Sequence, residues 1–289
     1  MSAETAARVG GVSQAEPVDT RMASLRATYI IWYRDLLRYW RDRWRLVASL
    51  AQPLLFLVVF GSGLSSSLGG AFGRGSGLSY IQFMYPGIIG MAILFTAIFG
   101  AMSIVWDREF GFLKEVLVAP IDRWAVAIGK ALGGTTQALI QGMILLVLAP
   151  LVGVKLNVLT VVELVPLAAV LAFGLASFGV AIASMMKSLQ GFQVVMNFLM
   201  MPMFFLSGAL FPLTASLPGW MTWLTRLDPA AYGIDPLRRV VLEGSGRAAN
   251  AYAMTLFGRV LTVPTEACIM LAFGAVMLLV AVVMFERRE

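Results

Sequence analysis

Apolar runs of about 20 residues, the length that crosses the hydrocarbon core of a bilayer, recur along this 289-residue chain. They lie at about 46–64, 82–105, 131–153, 160–185, 192–212 and 261–285, each long enough for one spanning helix. A water-soluble domain of this size must cover itself with polar groups, whereas 59% of these residues are hydrophobic and 13% are charged. Pro53, Pro86, Pro166 and Pro202 fall inside the runs, where a membrane helix tolerates them because neighbours satisfy the freed backbone groups. The expected fold class is therefore an all-α integral membrane protein with six transmembrane helices, some of them kinked.

The segment before the first run has a different pattern. Residues 1–23 form a polar N-terminal tail without the apolar core of a cleavable signal. Over 24–45, helical spacing places Tyr29, Tyr33, Leu36, Leu37, Trp40 and Trp44 on one side and Arg34, Arg38, Arg41 and Arg45 along a flank. Aromatic rings favour the headgroup level and arginines reach toward phosphates, so this stretch is expected to be an amphipathic interfacial helix in contact with membrane lipid. Lys and Arg gather around this helix, in 108–130, at Lys187 and at Arg287 and Arg288, which predicts a cytoplasmic location for those segments and for both termini, in the cell membrane. Arg238 and Arg239 lie on the other side of that assignment and form a partial exception. The stretch "GSGLSSSLGGAFGRGSG" at 61–77 reads as a flexible outer connection.

The net charge of +6 is accounted for by this sidedness and does not call for nucleic acid as a partner. With one cysteine, Cys268, and no histidine, neither a disulfide framework nor the usual zinc or haem ligation is available. The scattered carboxylates do not assemble an acid and base pair, so a membrane enzyme is disfavoured.

The segment "VWDREFGFLKEVLVAPIDRWAVAIGK" at 105–130 concentrates charge between two apolar runs. Within it, "REFGFLKEVLVAP" mixes apolar and charged residues and ends on Pro120, the pattern of a short amphipathic helix with a stop. Arg108, Glu109 and Gly111, followed by an apolar stretch, Pro120 and then Gly129 and Lys130, resemble the corresponding place in permease subunits of ABC-2-type transporters. A second resemblance lies at "LDPAAYGIDPLRRVVLEG", 227–244, with Asp228 where that family commonly has asparagine. Drug-exporter and nodulation-type permeases look most similar, and the resemblance covers nearly the whole chain, from the amphipathic helix through six spans, with one transmembrane domain over 46–289.

The resemblance implies a cytoplasmic coupling helix in which Arg108, Glu109, Phe110, Gly111, Leu113, Lys114, Glu115 and Pro120 seat against a separate ABC ATPase, present in two copies. It implies a homodimer or heterodimer of permeases, and short outer re-entrant helices carrying Asp228, Pro229, Asp235 and Arg238. This chain is expected to bind no cofactor itself, ATP and Mg being held by the partner. The text most like a phosphate-binding loop, "VAIGKALGG", has Ala131 where the metal-binding hydroxyl belongs.

Polar side chains inside the spans are the remaining candidates. Gln137 and Gln141 share one helix face, as do Gln193 and Asn197, and Glu266 lies early in the last run. Helix-to-helix hydrogen bonding is the ordinary account of such groups, and lining of a translocation path is the functional one. The function expected is outward, ATP-driven movement of an amphipathic drug-like or lipid-like compound. Export of polysaccharide or lipid-linked glycan is the alternative within the same architecture, and ion-coupled secondary transport the alternative with a different energy source.

Overall fold

The computed structural model describes residues 20–76, 80–111, 122–154, 156–211, 218–244, 253–256 and 259–288. The N-terminal tail and most of the charged insert, including Leu113, Lys114, Glu115 and Pro120, lie outside the described residues.

Helix α1 (Thr20–Arg41) is followed at Asp42 by α2 (Arg43–Ser76), and the axes of 21–41 and 46–61 differ by 70°. Then come α3 (Tyr80–Gly100), α4 (Met102–Glu109), α5 (Arg123–Leu148), α6 (Val158–Met185), α7 (Leu189–Leu206), the short α8 (Gly219–Leu227) and α9 (Pro229–Gly244), and the final α10 (Val263–Arg288). Among the described residues, five helical segments are long and apolar enough to cross a membrane alone: 80–109, 123–152, 158–185, 189–206 and 263–287. The bent α1–α2 pair brings the number to six. Among the described residues, the strand pairing is two residues on each side, Thr255–Leu256 against Arg259–Val260, so the architecture is all-α.

The helix ends carry recognisable stop and start chemistry. The side chains of Asn157 and Ser188 accept the backbone N–H of Val158 and Gly191 at 2.7 and 3.2 Å, capping α6 and α7. At the end of α4, Gly111 takes a φ of 83°, the left-handed conformation that glycine adopts without penalty at a helix stop. Asp228 followed by Pro229 opens α9, an N-cap acid and a proline in the first helical position.

The third helix forms the centre of the bundle: Phe83, Ile88, Ile93, Leu94, Ala97 and Ile98 have no exposed surface. Around it pack α2, α5, α6 and α9, and α10 lies along α6. In lipid, close van der Waals packing rather than the hydrophobic effect holds such helices together, and small residues permit it. A Cβ placed on Gly274 of α10 would stand 2.9 Å from the Cα of Gly174 on α6, so glycine is what allows this approach.

Two expectations need correction. The Gly- and Ser-rich stretch read as a flexible connection is helical through Ser76. Its composition signals coil in water, yet the helix continues through it beyond the apolar 46–61 stretch. The third span begins at Arg123 rather than near 131, which places Lys130 inside the helix instead of in a loop.

Candidate functional site

At the α1 end of the bundle, four charged side chains from three helices meet. The Lys130 ammonium on α5 lies 3.1 Å from an Asp35 carboxylate oxygen on α1 and 3.0 Å from Asp107 Oδ2 on α4, and it donates to Ser103 Oγ at 2.9 Å. Arg34 donates to the same Asp107 oxygen at 2.8 Å. Lys130, Asp35 and Asp107 are all buried, and the four formal charges cancel. Two cations and two carboxylates arranged this way leave no net charge in the low-dielectric interior, the condition under which buried ions are tolerated.

Helix α1 turns Ser24, Ile31, Asp35 and Tyr39 inward against α5. Ser24 donates to Asp122 at 2.9 Å, and a Cβ on Gly129 of α5 would sit 3.0 Å from Ile31, so glycine seats the two helices together. Tyr29, Tyr33, Leu37 and Trp40 are exposed on its outer face, as an interfacial helix requires, while the exposed Trp44 lies past the break at Asp42, in α2.

Arg108 and Glu109 grip the junction between α6 and α7. Arg108 donates to the carbonyls of Ser184 and Met186 at 3.0 and 2.6 Å, a cation on the C-terminal end of α6, where the helix dipole favours positive charge. Glu109 accepts the backbone N–H of Leu189 at 2.9 Å, a carboxylate at the N-terminal end of α7. Adjacent residues of opposite charge thus hold the ends of two successive helices. Phe110 and Trp106 are exposed beside them, ring centroids 5.1 Å apart. Nearby, Arg123 donates to the carbonyl of Phe285 at 2.7 Å and ties the end of α10 to the start of α5.

The opposite end of the bundle is closed by α8 and α9. Residues 230–242 of α9 are all buried. Asp235 Oδ2 accepts from the Arg239 guanidinium at 2.6 Å and from the backbone N–H of Met254 at 3.0 Å, and Arg239 also donates to Glu266 of α10 at 2.8 Å. Arg238 points the other way, donating to the carbonyl of Gly208 and lying 4.3 Å over the Phe83 ring. Burial pulls its guanidinium down to about 10, a shift opposed by Asp235. These four charges also cancel, which accounts for the arginine exception to sidedness: neither Arg238 nor Arg239 is a loop charge. Asp228 Oδ1 accepts the N–H of Ala230 at 3.0 Å, while burial pushes its carboxyl up to about 8 against the lowering effect of that bond.

The candidate path residues separate into two groups. Gln141 accepts from the Tyr39 hydroxyl at 3.0 Å and Gln137 donates to the Asp35 carbonyl at 3.3 Å, both buried as helix-to-helix hydrogen bonds. Glu266 has no exposed surface and is paired with Arg239. Gln193 and Asn197 are exposed on α7, on a face that also carries Val194 and Phe198.

Sequence reasoning missed Asp35, Asp107 and Arg239 as partners of Lys130 and Glu266. One signal was available for Asp35: it stands four residues from both Ile31 and Tyr39, on the face of α1 turned inward.

An interfacial helix bent into a first span, a bundle of crossing helices, a charged clamp at one end and a helical plug at the other define a polytopic helical membrane protein. The chain belongs to the ABC-2 type transporter family, whose model matches residues 26–242. It is 30% identical over 201 residues to the putative transport permease ycf38 of Cyanophora paradoxa, covering 67% of this chain and 66% of that protein. It is 26% identical to nodulation protein J of Rhizobium meliloti (strain 1021), over 76% of this chain and 80% of that one. With the inner membrane transport permease YadH of Escherichia coli (strain K12) it shares 27% identity over 72% and 80%. It is therefore an integral membrane permease subunit, of a family that is not itself catalytic and that implies a partner ATPase.

Proposed function

We propose that this chain is the permease of an ATP-driven exporter, moving an amphipathic drug-like or lipid-like compound outward. Two copies of a separate ABC ATPase drive it through the 108–120 segment, holding ATP and Mg, and two permeases assemble side by side. The arrangement of Arg108 and Glu109 carries this reading. A rigid push on the segment that follows them is delivered to the ends of α6 and α7 at once. Through Asp107, Lys130 and Asp35, the next residue back reaches α5 and α1. The first element of the bundle to feel a displacement of the insert is therefore the whole set of α1-end helix termini.

The exposed Gln193 and Asn197 on α7 support a second permease copy across that face, because polar amides facing lipid are costly unless paired or lining a watery path. The pairing of Glu266 with Arg239 removes the principal ion-coupling candidate and disfavours secondary transport.

The test is co-purification. Tagged protein drawn from its native membrane in mild detergent should bring down a nucleotide-binding subunit that hydrolyses ATP, and a version lacking the insert should not. Failure to recover such a subunit in several detergents would sink the coupling role.

A further inference from the structure

A cavity of about 340 Å³ lies between α2 and α3 near the α1 end of the bundle. Phe95, Phe99, Met91 and Met102 supply its apolar wall, and Tyr39 and Pro53 also line it. Its polar groups are few and underused. The Gln52 amide and the Thr96 hydroxyl have no side-chain hydrogen-bond partner among the described residues. Pro53 has no N–H, so the carbonyl of Ser49, another lining residue, loses its usual helical donor. Behind Tyr39 and Ser49, the Gln141 amide nitrogen is buried without a partner.

Unpaired polar groups in an apolar surrounding are costly, and a ligand that supplies the missing bonds recovers that cost. Among the described residues no charged side chain lines the cavity, so an ionic ligand would meet no counter-ion from them. Its volume suits a small ligand. Gln52 and Ala48 are exposed on the flank of α2, in the 46–61 stretch that belongs to a candidate span, so the cavity opens sideways from that helix.

We infer that this cavity binds a neutral amphipathic molecule, with a flat ring system or a short chain as its apolar body and one hydrogen-bonding polar end, entering sideways from the leaflet on the α1 side. The polar end meets Gln52 and Thr96, and the body lies against Phe95 and Phe99. A membrane lipid and a small amphiphile share this chemistry. The site goes beyond the transport reading and needs no ATPase partner.

The test uses the full-length protein in phosphatidylcholine nanodiscs. A diazirine-bearing monoacylglycerol is photolysed alongside the same chain ending in a carboxylate or a trimethylammonium group, and the adducts are mapped by mass spectrometry. The neutral probe should label the 91–102 stretch at least about tenfold more than either charged probe, the factor that corresponds to about 1.4 kcal/mol. Ala92→Phe, which fills the cavity, and the shape-conserving pair Gln52→Leu with Thr96→Val should each lower that labelling about tenfold. If Ala92→Phe fails to fold, the shape-conserving pair decides. Displacement by diacylglycerol would assign the occupant to the membrane, and displacement by N-phenyl-1-naphthylamine to a small amphiphile; both uphold the site. Equal labelling by all three probes, labelling unchanged by these substitutions, or adducts centred on the exposed Val194 and Phe198 of α7 would overturn it. Because photolabelling needs no nucleotide, loss of the ATPase in co-purification leaves this result standing.

Discussion

Replacing Lys130 by methionine tests how the α1 end is held. The ammonium has carboxylate oxygens at 3.0 and 3.1 Å from two different helices. At an effective dielectric of about 20, each such contact is worth about 5 kcal/mol of attraction before desolvation is subtracted. Methionine fills much of the same volume but leaves Asp35 and Asp107 buried with Arg34 alone, and that side chain is 41% exposed. Removing one partner from a buried ion cluster typically costs about 3–5 kcal/mol, because the remaining charges lose their compensation. The triple variant Lys130→Met, Asp35→Asn and Asp107→Asn, which removes the buried charges together, should recover most of that loss. Equilibrium unfolding of the purified protein, by titrating a denaturing detergent into a mild one, measures both. A loss below about 1 kcal/mol in the single variant, or a triple variant no better than the single, would refute the reasoning that the cluster is a neutral buried unit.

At the other end, Arg239→Met leaves Asp235 and Glu266 together without exposed surface and should cost about 3–5 kcal/mol by the same assay, with Asp235→Asn and Glu266→Gln added to it restoring stability. Asp228 makes stability depend on pH. Its folded carboxyl holds its proton to about 8 while the unfolded one releases it near 4, so the fold binds the extra proton between those values and loses stability as pH rises through them, by at most about 1.4 kcal/mol per unit. Asp228→Asn, which keeps the acceptor for Ala230, should flatten that slope; identical midpoint shifts between pH 5 and 8.5 in both proteins would show that another group is responsible. Arg108→Ala should lower stability by about 1–2 kcal/mol through the lost helix cap and, on the coupling reading, cut transport per ATP hydrolysed. Normal transport by a well-expressed variant changed at both Glu109 and Leu113 would count heavily against that reading.

The spans were legible because lipid imposes one demand, apolar length, and the runs at 160–185 and 261–285 differ from α6 and α10 by only a few residues. The interfacial helix was legible for a related reason: Trp40, Trp44 and the arginines sort by an energy that does not depend on the rest of the fold. The pairing of charges across helices was not legible. Asp35 and Lys130 are 95 residues apart and Arg239 and Glu266 lie on different helices, so nothing local names those partners, whereas Asp235 and Arg239 stand four residues apart on one helix and were open to sequence reasoning. Lys130 was assigned to a loop because the helix start at Asp122 was missed, and a lysine next to an apolar run reads by default as an aqueous flank. The 61–76 stretch was misread because the coil preference of glycine and serine is a weak local signal, and α2 carries its helix through them.

The bond between Arg239 and Glu266 also imposes a chronology. Glu266 belongs to α10, which is synthesised after α9, so α9 enters the membrane with an arginine whose second carboxylate does not yet exist. Closure of that end therefore waits for α10. A chain cut short before residue 263 should linger as an assembly intermediate, open to quality-control proteases on the side where a finished permease presents a sealed surface.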